Sequence, residues 1–351
     1  MQPEGVLIVR QYMRPWGRYN WAPTCRFYAP SRPALQPKWR LSFSTRQRAQ
    51  SFWSGLLPFI KACVPWKNQT PHHPIAAATI ERVPSPASEI RLQRIVMAQV
   101  KAEVRRLQQM LGLVEGIDKD LNGAIFICID CEAYERAQHM ITEIGISILD
   151  PKALKDIDPG PDGSAWFDAI KHVHLRVEEY KHLVNGAFVK GCPDKFNFGA
   201  TSFIKLADAG KILHRIFNNT ERVHEACNLD LELQPNTKAK IVLVGHALGG
   251  DTKYLRRVGF SPSNVIAHMD TQKLARASKK DSPGLRRLLI ALGIEAQNLH
   301  NAGNDAAYTM QALVGLAVRE HHEAGSVEAT LAANKEVQVA ARKSRKAQRK
   351  R

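Results

Sequence analysis

The chain has 351 residues, 44% hydrophobic and 24% charged, with a formal net charge of +17. That length can bury a sizeable core and allows two domains. No apolar run reaches the 18 or so residues of a membrane-crossing helix, so no membrane partner is expected. The charge is uneven: residues 1–120 carry +11, residues 121–320 only +1 and residues 321–351 +5. Basic segments around a neutral body suit a nucleic-acid partner, because they gain affinity by releasing counterions from a phosphate backbone. Solvated basic tails are also common without that role. The six cysteines, Cys25, Cys63, Cys128, Cys131, Cys192 and Cys227, are too scattered for a disulfide framework and follow no secretory signal pattern. A reducing compartment is expected.

Residues 1–87 read as a basic extension containing aromatics and prolines. Between Glu4 and Glu81 there is no acid, while Arg10, Arg14, Arg18, Arg26 and Arg32 recur. An Arg-rich, Ser-containing start suits a mitochondrial presequence, but Pro15, Pro23, Pro30, Pro33 and Pro37 interrupt any amphipathic helix. A disordered nucleic-acid-binding arm and an inert extension are the alternatives. From residue 88 to residue 112 the pattern changes. Leu92, Val96, Val100, Val104, Leu107 and Leu111, spaced by three and four, predict an amphipathic helix that ends at Gly112.

Residues 121–320 carry the well-patterned globular sequence. Ala124-Ile-Phe-Ile-Cys-Ile-Asp130 reads as a buried strand ending at an acid, and Glu132, two residues on, points to the same side. Two adjacent carboxylates repel, and a hard cation such as magnesium or manganese relieves the repulsion. Cys128 and Cys131 form a C-x-x-C whose side chains face opposite ways on a strand, which argues against zinc. Glu143–Asp150 predicts a second strand returning as a hairpin. In Lys171–Val177, a third, Val173, Leu175 and Val177 share one face. His172 and His174 share the other and are read as satisfied surface residues.

Lys240–His246 predicts another strand that breaks at Gly245 and leads into a helix starting near Asp251. GHALG there resembles a hydrolase nucleophile elbow, but Ala247 occupies the serine position and supplies no nucleophile. An acid in a helix's first turn is electrostatically favoured, and Asp251 is a candidate on that ground. Gly284–Gly293 reads as a short helix. Leu299-His300-Asn-Ala-Gly-Asn-Asp305 then opens a long one, with His300 placed to overhang the Asp305 carboxylate and accept a proton from an attacking water. Residues 321–351 end in RKSRKAQRKR, a nuclear-localisation or nucleic-acid-contacting tail, or a solvated helix end.

In this order, ICIDCEAYE, VGHALGGDTKYL and LHNAGNDAAYTMQAL resemble the three motifs of the DEDDh 3′–5′ exonuclease superfamily. The sequence is similar in particular to a fungal exonuclease-like group with a yeast member associated with the messenger RNA export helicase. The resemblance implies an α/β, ribonuclease H-like fold with a mixed five-stranded sheet flanked by helices, its acids clustered at one edge of the sheet. It implies two divalent cations, Mg2+ or Mn2+, held by Asp130, Glu132, Asp251 and Asp305, with His300 as the catalytic base. The implied substrate is single-stranded RNA or DNA with a free 3′ end, and messenger RNA export factors are further implied partners. The expected location is the nucleus or cytoplasm, with a mitochondrial pool if the Arg-rich start is a presequence. A catalytically weak or inactive nucleic-acid-binding adaptor is the alternative. Two departures bear on it: Ala247 and Gly250 stand where the family has asparagine and an aromatic residue, and Glu132 and Asp251 lie 119 positions apart, with DPGPDGSAW read as a loop insertion.

Overall fold

The structure is a computed structural model that describes residues 7–8, 26–27, 86–236, 239–276 and 282–348. Most of the N-terminal extension, with the presequence or arm expected there, lies outside the described residues, as does the very end of the basic tail. The chain divides into two units, residues 1–92 and 93–351. In the first, Leu7–Ile8 pairs antiparallel with Arg26–Phe27.

The second unit is built on a mixed sheet. Its strands are β1 (Ile125–Ala133), β2 (Ile141–Leu149), β3 (Lys171–Val177), β4 (Thr201–Ile204), β5 (Ile241–Gly245) and β6 (Val265–Asp270), in the spatial order β4-β3-β2-β1-β5-β6. The β1–β2 and β2–β3 pairs are antiparallel, and the other three are parallel. The sheet is mixed and helix-flanked, as the resemblance implies, but has six strands where five were expected. The sixth, β4, is a four-residue edge strand beside β3. The helices are α1 (Pro86–Met110), α2 (Ala209–Asn218), α3 (Val223–Ala226), α4 (Asp251–Arg257), α5 (Thr271–Leu274), α6 (Leu285–Leu292), α7 (Ala302–His322) and α8 (Ser326–Gln348).

Strand alternation sorts the core into two layers. Ile127, Ile129, Ile144, Ile146, Val173 and Leu175 pack against α2 through Leu213, Ile216 and Phe217. Phe126, Cys128, Leu149, Val242 and Val244 meet α1, α6, α7 and α8 on the other side, through Leu107, Leu288, Leu313 and Leu331. Helix α7 lies in the middle of that second layer, and Ala302 through Val318 are all buried, which explains why its sequence is apolar nearly all round. On α1, Val96, Val104, Leu107 and Leu111 are buried, and Gln108 Nε2 donates to the Ala317 carbonyl at 3.1 Å. The segment read as a loop insertion is packed down: Trp166 is buried and its Nε1 donates to the Ile157 carbonyl at 2.8 Å. Cys128 and Cys131 fall in opposite layers, as alternation requires. Among the described residues no helix is long and apolar enough to cross a membrane.

Candidate active site

Asp130 and Glu132 continue the Phe126–Cys128 row of β1, so both carboxylates lie on the α7 side of the sheet. Across the β1–β2 ladder Asp130 faces Gly145 and Glu132 faces Glu143. Gly145 is required by a close approach: a Cβ there would lie 1.8 Å from the Ala302 carbonyl oxygen, at the first residue of α7. A Cβ on Gly303 would come within 2.7 Å of the His174 Cβ and the Phe196 ring. The two glycines therefore let the first turn of α7 press directly onto β2 and β3, bringing Asp305 over the carboxylates of β1.

That turn is fixed from several directions. Asn301 caps α7, its side chain accepting from the Asn304 N–H at 3.0 Å. Asn304 Nδ2 donates to the Lys195 and Asn298 carbonyls at 2.7 and 2.9 Å. His300 adopts a left-handed backbone, φ +70°, and its N–H donates to Asp305 Oδ2 at 2.9 Å. The side chain of His300 stays open to solvent. Glu132, His300 and Asp305 each offer a ligand atom, and these atoms lie within 4.8 Å of one another. Asp251, the first residue of α4, is joined to the same centre through its Oδ1, which accepts from the Cys131 N–H at 3.0 Å. Cys131 lies between Asp130 and Glu132, so this bond ties the second motif to the first.

The electrostatics follow from burial and crowding. Desolvation, with the charges of Asp305, Asp251, Glu132 and Glu143, raises the Asp130 carboxyl well above its usual range. Desolvation and then Glu143 push Glu132 up to about 8. Burial raises Asp251 to about 7 against the opposing Cys131 N–H, and Asp305 to about 7 against the His300 N–H. His300 moves the other way, below the ordinary imidazole value, through what burial it has and the nearby Arg286 cation. Asp305 Oδ1 is buried with no hydrogen-bond partner. Four crowded carboxylates, one with an orphaned oxygen, form a hard-oxygen donor set that fits magnesium or manganese.

One part of this centre was not legible as such in the sequence. His174 is fully buried, not a surface residue, and His172 is partly buried. The Nε2 of His174 is hydrogen-bonded to Glu143 Oε2 at 3.0 Å, and its Nδ1 to Thr201 Oγ1 at 2.9 Å. Glu143 Oε2 also accepts the N–H of Ala302 at 3.2 Å. Glu143, itself buried, is thus a fifth carboxylate of this centre, and it clamps the start of α7 to β2 and β3. The correction has a simple cause: the face read as exposed is roofed by α7 and by Phe196 and Phe198, whose rings lie 5.2 Å from His174 and 4.7 Å from His172. The available signal was the row Gly145 and Ser147 on β2 beside His172 and His174 on β3, small residues leaving room for imidazoles.

The departures in the second motif also have a structural form. Ala247 has φ +65°, a left-handed conformation that asparagine tolerates better than alanine. Its N–H is held by Asp270 Oδ1 at 3.0 Å. His246 is occupied elsewhere, with Nδ1 bonded to Thr271 Oγ1 at 2.9 Å and Nε2 to the Pro283 carbonyl at 3.1 Å.

The family described as DNA polymerase III subunit epsilon-like, C-terminal domain matches residues 125–316, more than half of the chain. An uncharacterized nucleolar protein of Schizosaccharomyces pombe is 30% identical over 197 residues, covering 54% of this chain and 67% of the relative. Good for full DBP5 activity protein 2 of Saccharomyces cerevisiae is 28% identical over 208 residues, covering 53% of this chain and 34% of the relative. This chain thus spans about a third of that second relative. Among solved structures, the chain is similar to the S. cerevisiae Pan2 pseudoubiquitin hydrolase–RNA exonuclease module in complex with A7 RNA, with 14% identity and a TM-score of 0.31. That likeness covers 66% of this chain and 36% of the other. With the epsilon-like family matched from β1 to α7, over more than half of its length, the chain belongs to the DEDDh exonuclease-like family.

Proposed function

We propose that this protein is a metal-dependent exonuclease that removes nucleotides stepwise from the 3′ end of single-stranded RNA or DNA. The observation that carries the reading is Asp305, whose Oδ1 is buried and unpartnered and whose carboxylate offers a ligand atom within 4.8 Å of those of Glu132 and His300. Asp130, Glu132, Asp251 and Asp305 would hold two divalent cations, magnesium or manganese. Bound there, such cations supply an activated water and neutralise charge on the scissile phosphate and the leaving 3′ oxygen. The proton chemistry falls to His300. Its imidazole is open to solvent and held below its usual pKa, hence neutral and able to accept a proton from water near pH 7. Its backbone bond to Asp305 keeps it beside the acids, and Glu143 with His174 holds the helix that carries Asp305.

Purified protein with manganese or magnesium should shorten a 5′-labelled single strand in a ladder from its 3′ end, with chelator abolishing the ladder. His300→Ala should lower turnover by roughly 10² to 10⁴, the scale of losing a positioned proton acceptor. Turnover that survives both His300→Ala and Asp130→Asn would refute the assignment. DNA and RNA run side by side decide the substrate.

Ala247 and Gly250 favour a second reading, a nucleic-acid-binding adaptor with little turnover. It predicts binding without metal-dependent shortening. The names of two relatives, one nucleolar and one concerned with DBP5 activity, support placing this protein in the nucleus or cytoplasm, and the sequence resemblance puts messenger RNA export factors among its partners. The Arg-rich start would add a mitochondrial pool. Imaging of chains lacking residues 340–351 or residues 1–50 separates these addresses, and an unchanged distribution in both rejects them.

A further inference from the structure

Between β3 and β4 the chain runs through residues 178–200 with only one short 3-10 turn, Glu178–Tyr180. Connections of that length are uncommon in compact domains and are usually functional. The middle of this one is fastened on two sides to segments that flank the acidic centre. On one side, the Glu135 carboxylate accepts the N–H groups of Gly186, Ala187 and Phe188 at 3.3, 2.8 and 2.9 Å. Asn185 bridges the same strand end, accepting from the Glu135 N–H and donating to the Ala133 carbonyl, each at 2.9 Å. On the other side, the Cys192 N–H donates to the His300 carbonyl at 3.2 Å, and Asn301 Nδ2 donates to the Cys192 and Pro193 carbonyls at 3.2 and 3.1 Å. Glu135 is three residues past Glu132, so chain length alone holds Phe188 within roughly 20 Å of the carboxylates.

What this fastened segment presents is apolar and basic. Phe188 is 82% exposed although its backbone is pinned, and Val184 and Val189 beside it are 49% and 40% exposed. Lys190 and Lys195 are exposed and make no ion pair among the described residues. An aromatic face next to free cations matches the way single strands are held, with bases stacked on rings and phosphates drawn by lysine. It also answers a need of the site, since a cluster of acids by itself repels an anionic substrate.

We propose that Val184–Lys190 is a base-stacking platform for the 3′-terminal nucleotides of a single-stranded nucleic acid, with Phe188 the stacking face and Lys190 a phosphate contact. The proposal rests on the exonuclease reading for its orientation and adds where the strand is gripped.

The test is fluorescence anisotropy of a short 5′-labelled single strand, DNA and RNA in parallel, titrated with the full chain in chelator so that nothing is cleaved. Phe188→Ala should weaken binding about 5- to 150-fold, the range for losing one stacked base. Phe188→Trp should keep the affinity and add an indole signal quenched on binding. Lys190→Ala should reduce the slope of log affinity against log salt by about 0.7, the loss of one phosphate contact. Equal affinity of Phe188→Ala and the parent overturns the platform, as does a parent that binds no single strand. Self-association of the parent that disappears in Phe188→Ala, with strand binding unchanged, also overturns it and gives the patch to a second copy. Because binding is read without turnover, Phe188-dependent binding by a protein that never shortens the strand would reject the exonuclease reading and leave the platform standing.

Discussion

The two faces of the sheet are built on opposite principles. The α2 face is a closed apolar layer of Ile127, Ile129, Ile144, Ile146, Leu213 and Phe217, and its side chains do nothing but exclude water. The α7 face is apolar only toward the start of β1. Past Cys128 it becomes Asp130, Glu132, Glu143 and His174, roofed by Asn301, Asn304 and Asp305. Apolar burial on both faces stabilises the fold, and that stability allows one end of the α7 face to hold several carboxylates in a crowded, partly dry space. The same strands serve both, because alternation sends neighbouring residues to opposite sides.

The largest expected effect lies on the polar face. Asp130→Asn should reduce turnover at least as far as His300→Ala does, yet raise the melting temperature of the metal-free protein, because it removes a carboxylate repelled by Asp305, Asp251 and Glu132. A stripped Asp130→Asn protein that melts lower than the parent would break the contrast. Next is the seam between helix and sheet. Gly145→Ala places a methyl 1.8 Å from a backbone oxygen of α7, which no rotamer change relieves, so α7 must lift. A destabilisation of about 3 kcal/mol or more, at the upper end of overpacking costs, should accompany loss of turnover in denaturant and activity assays. On the apolar face, Leu213→Ala should cost about 2–5 kcal/mol while the folded fraction keeps its activity and its response to metal.

The smallest effect is in pH. In metal-free protein Glu132 at about 8, and Asp251 and Asp305 at about 7, lie above the value near 4 of unfolded carboxylates. Folding then takes up protons, so stability rises as pH falls from about 8. His172 has the opposite sign: burial lowers it to about 4, so its contribution is lost as pH falls below 6.5. His172 offsets only one of the three carboxylates, so thermal melting should show the rise beginning near pH 8 and continuing, in part offset below 6.5, until the unfolded carboxylates themselves protonate near pH 4. Asp305→Asn should shrink it, and Leu213→Ala should leave the slope alone.

Much of this was readable before any coordinates. The run from Ala124 to Asp130 names β1, and the spacing of Asp130 and Glu132 fixes their common side, because a strand's period is two. The third strand has the bounds its alternation predicts, Lys171–Val177. The short helix ends at Gly293, whose φ of +74° is a glycine-favoured cap. What stayed hidden depends on partners distant in sequence. Strand β4 has four residues, two of them exposed, too few for a pattern, and exists because β3 offers it an edge. Glu143 and His174 look like ordinary strand residues until α7 covers them, and Gly145 and Gly303 permit that cover only in three dimensions.

The central claim is that the crowded acids of the α7 face form a divalent-cation site, and counting bound manganese tests it most directly. Electron paramagnetic resonance of free Mn2+, titrated into stripped protein, should give two ions per chain for the parent and for Leu213→Ala, falling to one or none in Asp305→Asn. A parent that binds no manganese, or a count unchanged by both Asp305→Asn and Asp130→Asn, would contradict it.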